Sequence, residues 1–349
     1  MRIKTIIVLI AVCVSLSVFA QEKDVIKIAA VGDIMLGTAY PNGEFLPKVS
    51  PCRQFDPLRK YLTNADITFG NLEGVLTDNM SQAKKCNDPK LCYLFGMPTS
   101  YAESFKKAGF NVLSIANNHV GDFGDIGRAS TQKALKEQGI RFAGLLSCPI
   151  DTFTIDGIKY GFCAFAPNRG TVDVRDIPAA AEIVRELKKV SDIVIVSFHA
   201  GGEGAKFQHV TRQTEHCFGE NRGNVYEFAH KMIDAGADVL LGHGPHVTRA
   251  VEVYKNRFIT YSMGNFCTYS RVNVSGVNGL APLFHIYVNK KGEFQKAQII
   301  PTFQVKGQPP ALDNEKRVIT VIQNLTKTDF PEMSKVINIA DDGWITPIK

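Results

Sequence analysis

Five short polar signatures carry nearly all of the candidate chemistry in this chain. They are Val31-Gly32-Asp33-Ile34-Met35-Leu36-Gly37, Gly70-Asn71-Leu72-Glu73-Gly74, Ala116-Asn117-Asn118-His119, Ser197-Phe198-His199 and Gly242-His243-Gly244-Pro245-His246. Together they offer carboxylate, amide and imidazole groups, the ligand types that a pair of divalent cations takes. Each follows an apolar run, so all five are expected at strand ends of an open α/β sheet, where such folds assemble a site. Taken singly, each has a structural alternative. Asp33 can cap a turn, Glu73 can be a solvated loop acid, Asn117-Asn118 can cap a helix, and His199 can be a satisfied core histidine. His243 and His246 stand three residues apart on a Gly/Pro turn, which excludes a helix and lets both imidazoles face one cation or two neighbouring ones.

The elements that must hold these signatures follow from hydrophobic periodicity. Residues 25–31, 67–70, 112–116, 193–198 and 239–242 read as strands, and 100–108, 127–138, 178–189 and 224–235 as helices. Residues 79–97 form a polar loop, and a short helix opens at Phe55-Asp56-Pro57-Leu58. Hairpins are expected around Asp156-Gly157, Lys255-Asn256 and Lys290-Lys291-Gly292. The early alternation of strand and helix and the later hairpins predict an α/β fold of two packed sheets flanked by helices. One domain is expected over residues 21–305. Residues 306–349 read as a linker, Gly307-Gln308-Pro309-Pro310, followed by an amphipathic helix carrying Val318, Ile319, Val321, Ile322 and Leu325.

The remaining composition sets the compartment. The chain has 349 residues, 45% hydrophobic and 21% charged, ordinary values for a globular protein. Arg2 and Lys4 precede an apolar run over 6–18, and Val18-Phe19-Ala20 offers the small residues that a signal peptidase reads. Residues 1–20 are therefore expected to be a signal peptide, the mature chain to begin at Gln21 in the periplasm or outside the cell, and no transmembrane segment to be retained. Removing that leader takes the formal charge from +6 to about +4, since Arg2 and Lys4 are its only charges. This mild basicity suits an anionic partner, while the lack of a Lys/Arg tract interleaved with aromatics argues against nucleic acid. Of the 8 cysteines, Cys13 lies in the leader; the remainder is odd in number and leaves at least one thiol unpaired. Cys86 and Cys92 form the expected local pair, Cys163 belongs to an apolar strand, and no C-x-x-C spacing supports a structural zinc. No Gly-x-Ser-x-Gly elbow supports a serine hydrolase.

Taken together, the five signatures resemble the bacterial capsule-biosynthesis CapA/PgsA family, linked to poly-γ-glutamate and similar in fold to calcineurin-like metallophosphoesterases. Asp122-Phe123-Gly124, Ala235-Gly236-Ala237-Asp238 and Tyr261-Ser262-Met263-Gly264-Asn265-Phe266 also match, so the resemblance covers residues 26–266. It implies a four-layer α/β/β/α sandwich of two mixed sheets with a site for two divalent ions (Mn, Fe or Zn) between the loops. One ion would take Asp33 and His246, the other Asn118, His199 and His243, with Glu73 bridging. His119 would be the general acid or would bind a phosphate oxygen, beside Asn118. Arg169, Arg222 and Arg249 lie near signature loops and, with Asn265, would face an anionic substrate; taken singly, each arginine can equally be an ordinary surface residue. Two departures stand out. Met35 occupies the position of a ligand histidine, and Asn71 replaces an aspartate, so the first metal site is one ligand short and is expected to be weak or empty. Two functions remain open. One is an exported metal-dependent hydrolase of a phosphoester or another polar ester or amide, with capsule-synthesis machinery as partner. The other is a non-catalytic binding or assembly protein for an anionic capsular polymer.

Overall fold

A computed structural model describes residues 25–85 and 93–348; the expected leader at 1–20 and the Cys86–Cys92 pair lie outside the described residues. Continuous apolar runs have become parallel strands buried on both faces, as parallel sheets require. The larger sheet orders its strands as Ile337–Ile339, Trp344–Pro347, Phe294–Phe303, Leu280–Asn289, Val25–Met35, Ile67–Leu72, Val112–Ser114 and Arg141–Ala143. Its last four strands run parallel, and the others join them antiparallel. The smaller sheet runs Val251–Tyr254, Arg257–Thr260, Val239–His243, Ile193–His199, Ile158–Phe165, Ile150–Ile155, parallel except at its two edges.

The two sheets pack face to face, with Phe69 against Phe162 and Phe258 against Phe284 at ring separations of 6.0 and 5.8 Å. Helices Tyr101–Ala108 and Gly124–Glu137 cover the outer face of the larger sheet through Phe105, Ala134 and Leu135. Helices Ile177–Val190 and Val225–Ala235 cover the smaller one through Val184, Leu187, Phe228 and Met232. The result is the expected four-layer α/β/β/α sandwich of two mixed sheets flanked by helices. Local signals set the helix ends as expected. Asn224 Oδ1 accepts from the Glu227 amide at 3.1 Å, and Gly109 closes the preceding helix at φ 106°.

The division at residue 305 does not mark an edge of the core. Helix Arg317–Asp329 buries Val318, Ile319, Ile322 and Leu325 in the cluster shared by the two sheets, and Ile345 of a C-terminal strand joins them. Strands Ile337–Ile339 and Trp344–Pro347 then extend the larger sheet. Residues 306–348 are therefore part of the domain, because the helix's apolar stripe needs a sheet to lie on. Ile322→Ala should lower unfolding stability by about 2–5 kcal/mol in a denaturant titration. A detached tail would give no change.

One strand decides where chemistry can happen. Val25–Met35 pairs antiparallel with Leu280–Asn289 as far as Ala30, then changes partner and runs parallel to Asn265–Thr268 from Asp33 onward. The register with Ile67–Leu72 also slips between Ala30 and Asp33. At this crossover a Cβ on Gly32 would lie 1.9 Å from the Gly264 carbonyl oxygen, the oxygen to which the Asp33 amide donates at 2.9 Å. Only glycine allows that approach.

Candidate metal centre

Two rows of side chains face each other across the sandwich. In the larger sheet, Asp33 is in register with Asn71 on one side and Asn265 on the other. In the smaller sheet, His243 is in register with His199. His246 lies between them, on the turn after His243. Asp33, His199 and His243 offer ligand atoms within 4.8 Å of one another, and so do Asp33, Glu73 and His246. Asp33 is the residue common to both groupings, whereas the resemblance gave the shared position to Glu73.

Asp33 and Glu73 are buried, and their surroundings separate their charges. Burial works against ionising Asp33, but the hydrogen bond and charge of His246 outweigh it, and the carboxyl is held below its usual range. Glu73 is pushed well up, first by burial and then by the Asp33 charge. His246 is opposed by burial yet held well above the ordinary imidazole value by Glu73 and Asp33. Its Nδ1 donates to Asp33 Oδ2 at 3.0 Å and Asn265 Oδ1 at 3.1 Å, and its Nε2 lies 3.4 Å from Glu73 Oε1. These contacts offset a left-handed backbone at His246, φ 56°, a conformation that costs a non-glycine residue roughly 1–3 kcal/mol.

The paired histidines are kept neutral, as ligands must be. Burial pushes His199 well down, with His243 adding to it, and burial pushes His243 to about 3. Ser197 Oγ sits 2.6 Å from His243 Nε2, which leaves Nδ1 facing His199 Nδ1 at 3.1 Å. Three buried ligand atoms have no hydrogen-bond partner: His199 Nε2, Glu73 Oε1 and Asn118 Oδ1. An unpartnered buried polar atom costs about 1–3 kcal/mol. Carboxylate, amide and imidazole together suit Mn, Fe or Zn. The residues present therefore fit a bound metal.

A ladder of amides ties this centre to His119. Asn71 Nδ2 donates to Asp33 Oδ1 at 2.9 Å, Asn117 Nδ2 donates to Asn71 Oδ1 at 3.1 Å, and the His119 amide donates to Asn117 Oδ1 at 3.1 Å. The substitution at Asn71 thus supplies an orienting donor to Asp33 in place of a ligand, while Met35 is buried in the core. His119 Nδ1 lies 2.8 Å from Asp122 Oδ2, and Asp122 also accepts from the Phe95 amide and pairs with Lys84 at 2.5 Å. Burial opposes the Asp122 charge, but His119 and Lys84 outweigh it and hold the carboxyl low. From sequence, Asp122 belonged to a matching motif without a role of its own, although its position three residues after His119 is the signal that finds it.

The four expected substrate contacts are placed differently from one another. Arg169 is exposed on a rim near Asn118. Arg249 is wholly buried and bidentate to Glu215 at 2.8 and 2.7 Å, so its guanidinium is not offered to a substrate. Arg222 is 5% exposed and paired with Glu203 and Glu220, each at 3.0 Å. Asn265 is buried, and its Nδ2 donates to the carbonyls of His246, Asn273 and Asn278. These three hold loops in place; Glu215 also receives the Gly202 amide beside His199. Among the described residues Cys52, Cys148, Cys163, Cys217 and Cys267 are free thiols, and Cys163 is core, its thiol pushed up by burial.

A family model, bacterial capsule synthesis protein PGA_cap, matches residues 27–270, most of the chain and every residue of the centre. The chain belongs to this family. Within it, the chain is 29% identical over 266 residues to the capsule biosynthesis protein CapA of Bacillus anthracis, covering 70% of this chain and 60% of that one. It is 29% identical over 328 residues to the PGA biosynthesis protein CapA of Bacillus subtilis strain 168, covering 87% and 78%. The chain thus spans less than two thirds of the Bacillus anthracis family member. Among solved structures it is similar to a hypothetical protein from Thermus thermophilus, 17% identical over 80% of this chain and 100% of that one, TM-score 0.48. It is also similar to purple acid phosphatase PPD1 from yellow lupin seeds, 12% identical over 84% and 55%, TM-score 0.40.

Because Asp33 takes part in both groupings, Asp33→Asn should lower the metal content of the purified protein more than His243→Ala or Glu73→Gln does. Asn71→Ala should weaken metal binding by roughly 10–100-fold through loss of the orienting bond. Elemental analysis and metal titration check both. Equal losses in Asp33→Asn and Glu73→Gln would contradict the shared role of Asp33.

Proposed function

We propose that this protein is an exported, metal-dependent hydrolase that acts on a phosphoester or another polar ester or amide of an anionic cell-surface polymer. The observation that carries this reading is the pairing of two ligand groupings around Asp33 with a separately oriented histidine, His119, at the end of the same amide ladder. Family membership and the names of the Bacillus relatives support the polymer setting. No helix among the described residues is long and apolar enough to cross a membrane.

Asp33, Glu73, His246, His199, His243 and Asn118 would hold two divalent cations of the Mn, Fe or Zn type. When bound, these would polarise the substrate, activate water and stabilise developing negative charge. The chain's own residues do the rest. Asp33 would supply the negative charge that retains cations, joined by Glu73 once it gives up its proton, while Ser197 and Asn71 fix the directions of His243 and Asp33. Asp122 orients Nδ1 of His119, so Nε2 is the atom that passes a proton to the leaving group.

His119→Gln should keep metal content and folding but lower kcat by ~10²–10⁴-fold, as loss of a positioned acid does. Asp122→Asn should lower it in the same direction. The assay uses protein loaded with Mn, Zn or Fe against a panel of phosphomonoesters, phosphodiesters, carboxylic esters and γ-glutamyl amides. Loss of metal in His119→Gln would place this residue among the ligands. No turnover of any substrate by the parent would favour the binding and assembly reading. Material recovered from outside the cytoplasm should begin at Gln21 by mass spectrometry; a retained Met1 there would contradict the export part of the proposal.

A further inference from the structure

His246 reaches the centre from a left-handed backbone, φ 56°, which few residues besides Gly, Asn and Asp adopt. The turn that carries it, Gly244-Pro245-His246, is held carbonyl by carbonyl. The Ala200 amide donates to the His243 carbonyl at 3.0 Å, and the Gly204 amide to that of Pro245 at 2.9 Å. The His246 carbonyl is met instead by two side-chain amides, Asn265 Nδ2 and Asn278 Nδ2, each at 3.2 Å. Asn265 also holds the imidazole, its Oδ1 lying 3.1 Å from Nδ1. Asn278 acts on the backbone: among the described residues, its Nδ2 has the His246 carbonyl as its one acceptor.

This amide is delivered by a built turn. Asn278 is buried in the 3-10 turn Gly276–Gly279, where its own amide donates to the Ser275 carbonyl at 3.3 Å and its carbonyl accepts from Asn265 Nδ2 at 3.1 Å. A Cβ on Gly279 would lie 2.2 Å from the Val274 carbonyl oxygen, so the turn closes with glycine there. One residue further, the Leu280 carbonyl accepts from Thr248 Oγ1 at 3.0 Å. The turn is thus bound to residues 246 and 248 together. Without the Asn278 amide the strained backbone loses one of its two carbonyl donors, and relaxation toward right-handed φ turns the imidazole away from Asp33 and Glu73.

We infer that Asn278 is a positioning residue of the reaction centre, which locks the left-handed backbone of His246 so that the imidazole stays between Asp33 and Glu73. The inference rests on the reading of His246 as a metal ligand. The test combines calorimetric titration with Mn and proton–nitrogen NMR of the metal-free protein. Asn278→Ala should weaken the ion held by Asp33, Glu73 and His246 roughly 10–100-fold and leave the ion at His199 and His243 unchanged. In a His246→Ala background the same substitution should change nothing further. In the metal-free protein the His246 Nδ1–H resonance, identified by its loss in His246→Ala, should shift or broaden in Asn278→Ala. Asn278→Leu, which fills the space without a donor, should do the same. An unchanged resonance and affinity in both variants, or an equal loss of affinity with and without His246, would overturn the inference. Failure of both variants to fold by circular dichroism would make Asn278 a residue of the fold and overturn it too. A parent that binds no metal would sink the metal reading, and the resonance would then decide whether Asn278 holds His246.

Discussion

Asp33 carries its carboxylate into a place that water does not reach, and the surrounding residues are arranged to keep it there. Burying an isolated charge costs several kcal/mol unless a positive partner and hydrogen bonds compensate it. Here His246 supplies the positive partner and Asn71 the amide donor. His246 fills that role from a left-handed backbone, and its ring is held in turn by Asn265. Asn265 reaches it because the first strand changes partners at Asp33, and that change depends on the close approach of Gly32 to Gly264. A divalent cation bound there would take the place of the His246 proton, bringing more positive charge to the same cluster of acids.

Much of this is legible in the residues alone. Parallel strands buried on both faces must be nearly pure apolar runs, so Ile193 to His199 and Val239 to His243 declared themselves, and the polar residues ending such runs had to collect at one edge. The helix limits near Gly109, Asn224 and Gly236 were legible for equally local reasons, since caps are written within a few residues. Strand Arg141–Ala143 was not, because it is three residues long and begins with a charged, exposed side chain. Strands Ile337–Ile339 and Trp344–Pro347 were missed because three or four residues carry too little alternation to read, and with them the fact that the C-terminal helix belongs to the core.

Side-chain roles set by distant partners were the least legible. Arg249 looks like a substrate contact from its neighbours in sequence, yet Glu215, thirty-four positions earlier, claims both of its terminal nitrogens. Arg222 is similarly held by Glu203 and Glu220. Asn71 read as a missing ligand because a carboxylate was expected there; only the register of three adjacent strands makes it the donor that orients Asp33. For Arg249 and Asn71 the deciding contact lies far along the chain, and no local pattern encodes it.

Asp33 would lie between two cation positions. Anomalous diffraction from crystals of the protein loaded with Mn or Zn measures this directly. It should give two peaks about 3.5–4 Å apart, with Asp33 touching both, His199 and His243 at one, and Glu73 and His246 at the other. A single peak that Asp33 does not contact, or no peak within this cluster at saturating metal, would contradict it.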